Sequence, residues 1–133
     1  MPGTENQNEQ LARAFFETMN TGDLERVRSM LHEQATWTMM TNALPGPNAR
    51  KGRNAIIDEF LGPVRGIFLE GPKITVERII SQGPLLAVEA KGLGRMKNGK
   101  TYDNRYSFII EIKDGKIFDL REYMDSAHVS TLM

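Results

Sequence analysis

The chain contains no cysteine among its 133 residues, which excludes disulfide bonds, thiolate metal ligands and a cysteine nucleophile. It also has no apolar run that approaches the roughly 18 residues required by a membrane helix. Its 17 basic and 17 acidic residues balance to zero net charge, and no basic run is long enough to follow a nucleic acid backbone. These features predict a cytoplasmic protein that binds neither nucleic acid nor a membrane.

Histidine is also scarce, since His32 and His128 are the only two and lie far apart in the chain. Neither belongs to an H-x-x-x-H or H-x-E pattern, so the sequence predicts no metal site. His32 remains open as either a second acid–base group or a surface residue. Ser107 has no G-x-S-x-G motif around it, which leaves serine nucleophile chemistry without support.

The length fits one domain, which we place at residues 8–133 behind a disordered terminus of residues 1–7. Helical periodicity begins at Asn8 and predicts a first amphipathic helix. A second helix follows an N-cap at Thr21 or Asp23. Further predicted elements are a strand at 35–40, a loop at 41–52 that is either a lid or an ordinary connection, and a third helix at 55–61 that includes Phe60.

After Pro72 the periodicity changes from helical to alternating, which is typical of strands. Strands are predicted at 73–81 and 85–96, followed by a long hairpin around the Asp114-Gly115 turn. Helices followed by a run of strands indicate an α+β domain, with the helices on one face of a curved antiparallel sheet. Such a sheet closed by helices encloses a pocket.

Glu122 is the one acid on an otherwise apolar face of the last strand, which it shares with Phe118, Leu120 and Met124. Burial of a carboxylate without partners is unfavourable and raises the pKa of the group. Two interpretations follow. Glu122 is either an acid or base tuned for proton transfer near neutral pH, or one half of a structural ion pair.

On the strand at 85–96, Glu89 and Lys91 alternate with the small apolar residues Leu86, Val88 and Ala90. Strand periodicity therefore turns Glu89 and Lys91 outward to water.

Four segments carry a family resemblance, and they are GRNAI at 52–56, GKTYDNRY at 99–106, DGKI at 114–117 and REYMD at 121–125. With the order of the elements over residues 8–126, they resemble the SnoaL-like branch of the NTF2-like superfamily. This branch includes polyketide cyclases and proteins related to ketosteroid isomerase. The resemblance implies an NTF2-like cone with a deep apolar pocket, a homodimer formed through the outer sheet face, and acid–base chemistry without metal or organic cofactor.

The resemblance also assigns site residues. It places the catalytic acid of limonene-epoxide hydrolase relatives at Glu122, and it turns Glu89 and Lys91 into the pocket, against their periodicity. Lys91 would then neutralise one glutamate and leave the other to carry protons; a satisfied buried network is the alternative. The implied substrate contacts are Trp37, Met39, Phe60, Asn104, Tyr106, Leu120 and Met124.

Three functions stay open at this point. The first is an isomerase or cyclase for a hydrophobic polycyclic or polyketide-like molecule. The second is a binding module of the same fold without catalysis, in which Glu122 and Lys91 form an ion pair. The third is an epoxide hydrolase with altered residues, which is weakened because Trp37 and Met39 replace the tyrosine and asparagine that hold the attacking water.

Overall fold

The computed structural model of the chain describes the backbone of residues 4–132 and the side chains of residues 7–132. Helix α1 (Thr4–Thr21) begins four residues before the predicted start at Asn8, so residues 4–7 are helical rather than disordered. Residues 1–3 of the predicted disordered terminus lie outside the described residues. Because its apolar residues recur at helical spacing, α1 packs on the sheet and buries Phe15 and Phe16 almost completely.

The second helix, α2 (Leu24–Met30), is capped by Asp23, whose Oδ1 accepts the backbone N–H of Arg26 at 3.1 Å. The first strand, β1 (Leu31–Met39), starts directly after α2 and is longer than predicted. The remaining elements are β2 (Ala49–Lys51), α3 (Arg53–Ala55), a π-helical segment (Ile56–Leu61), α4 (Gly62–Gly66), β3 (Phe68–Gln82), β4 (Leu85–Met96), β5 (Thr101–Lys113), β6 (Lys116–Met124) and α5 (Ser126–Ser130).

The strands form one six-stranded sheet in the order β2-β1-β6-β5-β4-β3. All neighbours are antiparallel except β1 and β6, which run parallel. The predicted α+β class and its helices ahead of a strand meander are confirmed, while the short strand β2 lies inside the predicted loop. The predicted hairpin turn is also confirmed, since Asp114 and Gly115 both have positive φ, as a tight two-residue turn requires.

Strand β3 runs through Gly71-Pro72, whereas the sequence predicted that the strand begins at residue 73. Gly71 has φ of +84°, and a Cβ there would lie 2.8 Å from the Leu93 carbonyl oxygen of β4. Glycine therefore permits both the backbone conformation and the close approach of the two strands. Register shifts along the β3–β4 pair accompany this irregularity, and such bulges bend a sheet.

A bulge in β6 removes Phe118 from the buried face of the strand on which it was predicted. Across the hairpin, Glu111 pairs with Asp119 but Ile112 pairs with Ile117, so Phe118 is an extra residue. Ile117 is consequently fully buried, whereas Phe118 is half-buried beside His32. Beyond the bulge the predicted parity holds.

The main hydrophobic core fills the space between the helices and the inner face of the sheet, and a second, smaller cluster consists of Phe68, Met96 and Leu132. The main core includes aromatic rings from α1, β1 and β5, with Phe16 and Phe108 in contact at a centroid distance of 4.8 Å. No helix within residues 4–132 is long and apolar enough to cross a membrane. The fold thus places the inner faces of β1, β5 and β6 opposite the helical segment at residues 53–66, where the core opens into a cavity.

Candidate functional site

Glu122 lies on the inner face of β6 with only 7% of its surface exposed. In the sheet it is flanked by Phe108 of β5 and Met39 of β1. Trp37, two residues before Met39, donates a hydrogen bond from its indole Nε1 to Glu122 Oε1 at 2.9 Å. The other carboxyl oxygen, Oε2, has no hydrogen-bond partner among the described residues.

The electrostatics of Glu122 follow from this environment. Burial raises its pKa to about 7, and the hydrogen bond from Trp37 acts in the opposite direction. Within residues 7–132, no basic side chain lies within salt-bridge distance of the Glu122 carboxyl. The group is therefore an isolated acid that exchanges its proton near neutral pH.

The cavity region consists of two adjacent chambers. The inner chamber has a volume of about 80 Å³, and its walls include Trp37, Phe60, Arg65, Tyr102, Tyr106 and Glu122. The outer chamber has a volume of about 380 Å³, and its walls include Met39, Leu44, Arg50, Met96, Met124 and Leu132. Phe60, Val64, Tyr102 and Glu122 line both chambers and therefore lie between them.

A hydrogen-bonded chain on β5 ends at the inner chamber. Asn104 is fully buried, and its Oδ1 accepts the backbone N–H groups of Arg105 at 2.9 Å and Asp125 at 3.1 Å. These two bonds fix the amide orientation, so Nδ2 donates to the Tyr102 hydroxyl at 2.9 Å. The Tyr102 hydroxyl is in turn hydrogen-bonded to the Tyr106 hydroxyl. Either hydroxyl can be the donor in this bond. When Tyr102 donates, the Tyr106 proton is free for an acceptor in the inner chamber, which Tyr106 lines.

Both tyrosines remain protonated at neutral pH. Burial raises the pKa of Tyr102 above its usual range, although hydrogen bonds from Asn104 and Tyr106 oppose the change. Burial raises the pKa of Tyr106 further, and the neighbouring Tyr102 and Glu122 add to that effect. A hydroxyl of this kind acts as a hydrogen-bond donor to an oxygen that gains negative charge.

The structure brings most of the expected site residues to the cavity. Trp37, Phe60, Tyr106 and Glu122 line the inner chamber, and Met39 and Met124 line the outer one. Asn104 acts through Tyr102 rather than at the cavity wall. Leu120 lies within the hydrophobic core, 1% exposed, and does not line either chamber.

The expectation that Glu89 and Lys91 face the pocket is wrong, because their side chains lie on the outer face of the sheet. The Glu89 side chain is 59% exposed and lies 3.7 Å from Arg78, and Lys91 is 51% exposed and lies 4.0 Å from Glu77. The physical reason is strand parity: Leu86, Val88 and Ala90 are buried in the core, which turns the intervening residues outward. Neither residue therefore reaches Glu122, and the expected network of two glutamates and a lysine does not form.

Two polar residues of the inner chamber, Tyr102 and Arg65, were not predicted. Tyr102 shares the inner face of β5 with Asn104 and Tyr106, and that spacing was a usable signal. Arg65 lies in α4 within a short apolar patch, and its place at the inner chamber depends on the contact of α4 with the turn after α1. No local sequence pattern predicts such a contact.

The histidines lie outside the cavity walls. His32 packs on Phe118 and lies 3.6 Å from the Asp114 carboxylate, which favours the surface interpretation. His128 in α5 accepts the backbone N–H of Asp103 at 2.9 Å. Among the side chains that the structure describes, no three histidine, aspartate or glutamate residues are grouped closely enough to hold a metal ion.

Comparison with known proteins identifies relatives of this fold. The family model for the SnoaL-like domain matches residues 12–120. No curated protein matches the chain.

Solved structures resemble the chain over nearly its whole length. Bal32a from a soil-derived mobile gene cassette is 21% identical with a TM-score of 0.84, over 97% of this chain and 98% of that one. TerC co-crystallised with polyporic acid is 20% identical with a TM-score of 0.83, over 95% and 97%. A putative isomerase from Bacillus subtilis is 20% identical with a TM-score of 0.81, over 94% and 91%. At these identities the likeness shows the fold alone.

Proposed function

Because the chain belongs to the SnoaL-like domain family, we propose that it is a cofactor-independent acid–base enzyme, an isomerase or cyclase, that moves a proton on a hydrophobic polycyclic or polyketide-like molecule. One observation carries this proposal: among the described side chains, Glu122 is the single acid that lines the inner chamber, buried among apolar and aromatic walls, with its pKa raised to about 7. A carboxyl with that pKa is both a competent base and a competent acid at neutral pH.

The proposed reaction begins with Glu122 ionised. Its free Oε2 takes a proton from the carbon next to a substrate carbonyl, so the C–H bond breaks and its electron pair forms an enolate. The Tyr106 hydroxyl donates a hydrogen bond to the enolate oxygen. Glu122 then returns the proton at another carbon, which gives isomerisation. In ring closure the enolate carbon instead attacks a second carbonyl, whose C=O π bond breaks to leave an alkoxide, and Glu122 returns the proton to that alkoxide oxygen.

Trp37 supports Glu122 in this mechanism. By donating to Oε1, it holds the carboxyl in one orientation and leaves Oε2 toward the cavity. The same bond favours the ionised form, which partly offsets the effect of burial on the pKa. The Trp37 indole thus influences both the orientation and the pKa of the Glu122 carboxyl.

The size of the cavity supports a ring-containing substrate. The outer chamber alone, at about 380 Å³, lies in the range of small-molecule sites, which is about 300 to 1,000 Å³. Of the structures that share the fold, TerC was co-crystallised with polyporic acid and another is named a putative isomerase.

The test is replacement of Glu122 by Gln, with Glu89→Gln as a matched control at an exposed position. The probe is a β,γ-unsaturated polycyclic ketone, whose conversion to the conjugated enone is followed by ultraviolet absorbance. We expect Glu122→Gln to lower kcat/KM by at least about 100-fold, the usual contribution of general acid–base catalysis, and Glu89→Gln to leave it unchanged. Unchanged turnover in a folded Glu122→Gln variant contradicts the proposal.

A binding module without catalysis is the second candidate, and the apolar outer chamber favours it independently of Glu122. In that case the cavity holds a ligand that neither enolises nor rearranges, and the wild-type protein converts no ketone probe. Epoxide hydrolysis loses its support, because the second carboxylate that it needs, Glu89, lies on the outer face of the sheet.

We also propose that the outer sheet face forms a homodimer. An apolar row crosses it from Ile80 through Ala87 to Ile109, with Arg121 as the next partner. Ile80 is 64% exposed, and Arg78 and Glu89 beside the row supply charges of opposite sign. We expect light scattering to give the mass of two chains for the wild type and of one chain for Ile80→Asp. A monomeric wild type contradicts the proposal.

A further inference from the structure

Arg65 is the one basic residue among the described side chains that line the inner chamber. It lies in α4, is half-buried, and shares the chamber walls with Glu122 and Tyr106. The mechanism above does not use it. A cation at the wall of a small apolar chamber requires either a structural or a ligand-binding explanation.

A structural role accounts for only some of the hydrogen-bond donors of the Arg65 guanidinium. Arg65 Nη1 donates to the Met19 carbonyl at the end of α1 over 3.1 Å. Its Nε and Nη2 atoms have no acceptor among the described residues, and no carboxylate in that part of the chain lies within 4.0 Å. Its positive charge is therefore uncompensated by a neighbouring acid.

The turn after α1 is shaped to receive this guanidinium. Gly22 has φ of +83°, and a Cβ at that position would lie 2.9 Å from Arg65 Nη2 and 3.0 Å from Nε. Only glycine fits beside the side chain in this conformation without a shift of the guanidinium. Met19 and Gly22 thus hold Arg65 at the chamber wall.

The dimensions of the two chambers restrict how a ligand enters. The inner chamber, at about 80 Å³, is much smaller than the outer chamber of about 380 Å³. The volume of the outer chamber is the one that lies in the range of small-molecule sites, about 300 to 1,000 Å³. A molecule that occupies both chambers has its ring body in the outer one and its head at the inner walls, which include Glu122 and Arg65.

We propose that Arg65 is a specificity-determining residue, which binds a carboxylate or another anionic oxygen at one end of an otherwise apolar ring-containing substrate. This rests on the proposed function only in treating the bound molecule as a substrate. An anionic head that leaves water for an apolar chamber needs a cation with directional donors, and a guanidinium supplies both. Neutral molecules of the same shape lack that compensation.

The test compares two near-isosteric probes, 2-naphthoate and 2-naphthamide, by calorimetric titration at about pH 6. At that pH a free carboxylic acid is ionised, whereas the raised pKa of Glu122, about 7, keeps that residue largely neutral. We expect the wild type to bind 2-naphthoate at least about tenfold more tightly than 2-naphthamide, which corresponds to one charge-assisted contact. Equal affinities, a preference for the amide, or no binding of either probe overturn the proposal.

Three variants locate the preference. Arg65→Gln is expected to reduce the affinity for 2-naphthoate at least about tenfold and to leave that for 2-naphthamide within about twofold. Arg65→Lys retains a charge and is expected to retain most of the preference. Arg13→Gln, at an exposed position on α1, makes the same change of charge and is expected to have no effect.

An equal loss of affinity for both probes in Arg65→Gln shows that Arg65 only shapes the chamber, and overturns the proposal. Should Arg65→Gln fail to fold after loss of the Met19 contact, equal affinities of the wild type for the two probes still overturn the proposal. The affinity measurements are independent of turnover. The preference for 2-naphthoate is expected to persist in Glu122→Gln, which separates this proposal from the proposed catalysis.

Discussion

The indole of Trp37 donates a hydrogen bond to the buried carboxyl of Glu122 at 2.9 Å, across the boundary between two parallel strands. Residues 85 positions apart are joined because β1 lies beside β6, with Trp37 next to Leu120 and Met39 next to Glu122 in the register. A buried acid is consequently held by one donor and otherwise surrounded by apolar walls. The properties of the site depend on this pair.

Loss of the indole donor should raise the pKa of Glu122. In Trp37→Phe the hydrogen bond that favours the ionised form is removed, while the site remains largely apolar. We expect the pKa to increase from about 7 by about 1 unit, as befits a hydrogen bond to a charged group. The rise of kcat/KM with pH, which reports ionisation of the free base, should move to higher pH accordingly.

Phe60→Leu is the control for that experiment. Phe60 contacts Trp37 edge-on at a centroid distance of 5.4 Å but donates no hydrogen bond to Glu122. Its replacement reduces the volume of the cavity wall and should leave the pKa of Glu122 unchanged. A pKa that falls in Trp37→Phe would show that entry of water outweighs the lost donor.

Removal of the Glu122 charge should stabilise the protein at alkaline pH. The ordinary pKa of this carboxyl is 4.5 and the folded value is about 7, so between these values the folded state binds more protons than the unfolded state. Stability therefore falls as pH rises through this window, by about 3 kcal/mol in total for Glu122 alone. Glu122→Gln has no such proton to lose.

Urea unfolding at about pH 4 and about pH 8 measures this difference. All other titrating groups are common to both proteins. From about pH 4 to about pH 8, the free energy of unfolding of the wild type should therefore fall by about 3 kcal/mol more than that of Glu122→Gln. Parallel profiles for the wild type and Glu122→Gln would mean that the carboxyl is solvated in solution.

Much of the fold was predictable, because strand parity and turn chemistry are local. The alternation through Asn104, Tyr106 and Phe108 placed the inner face of β5, and Asp114-Gly115 placed the hairpin turn. The same parity correctly placed Glu122 on the buried face of β6. The role of Glu122 as an acid or base stays a prediction.

The error at Glu89 and Lys91 has a different origin. Their strand parity correctly turned them outward, whereas the family resemblance implied the opposite orientation. A correspondence with a distant relative preserves the order of elements better than the side-chain orientation at each position. Three buried apolar residues on β4 are a stronger constraint than such a correspondence, because reversal of the strand would expose all of them.

Other features could not be predicted from local sequence patterns. The strand β2 consists of three residues between prolines and glycines, and it exists because Trp37 and its neighbours on β1 pair with it. Arg65 reaches the inner chamber only through a contact with Met19 from another helix. Both depend on tertiary packing, which periodicity does not encode.

The close approach of β4 to Tyr106 gives a test of the proposed hydrogen-bond donor. Gly92 is opposite Asn104 in the register, and a Cβ there would lie 2.8 Å from the Tyr106 ring and 3.0 Å from its hydroxyl oxygen. Tyr106 has little room to move, since its ring stacks on Phe108 at a centroid distance of 4.9 Å. Gly92→Ala should therefore displace the hydroxyl from its position on the chamber wall.

We expect Gly92→Ala to lower kcat at least about tenfold, because misplacement of a donor to the developing oxyanion costs about 2 kcal/mol or more. Tyr106→Phe, which removes the hydroxyl and keeps the ring, should lower kcat to a similar degree.

Gly66→Ala is the matched control, since no atom lies within 4 Å of a Cβ at that helical position. If Gly92→Ala and Gly66→Ala have equal kcat in steady-state assays while Tyr106→Phe is impaired, the ring adapts to the added methyl group. If Tyr106→Phe is also unimpaired, the hydroxyl does not stabilise the enolate.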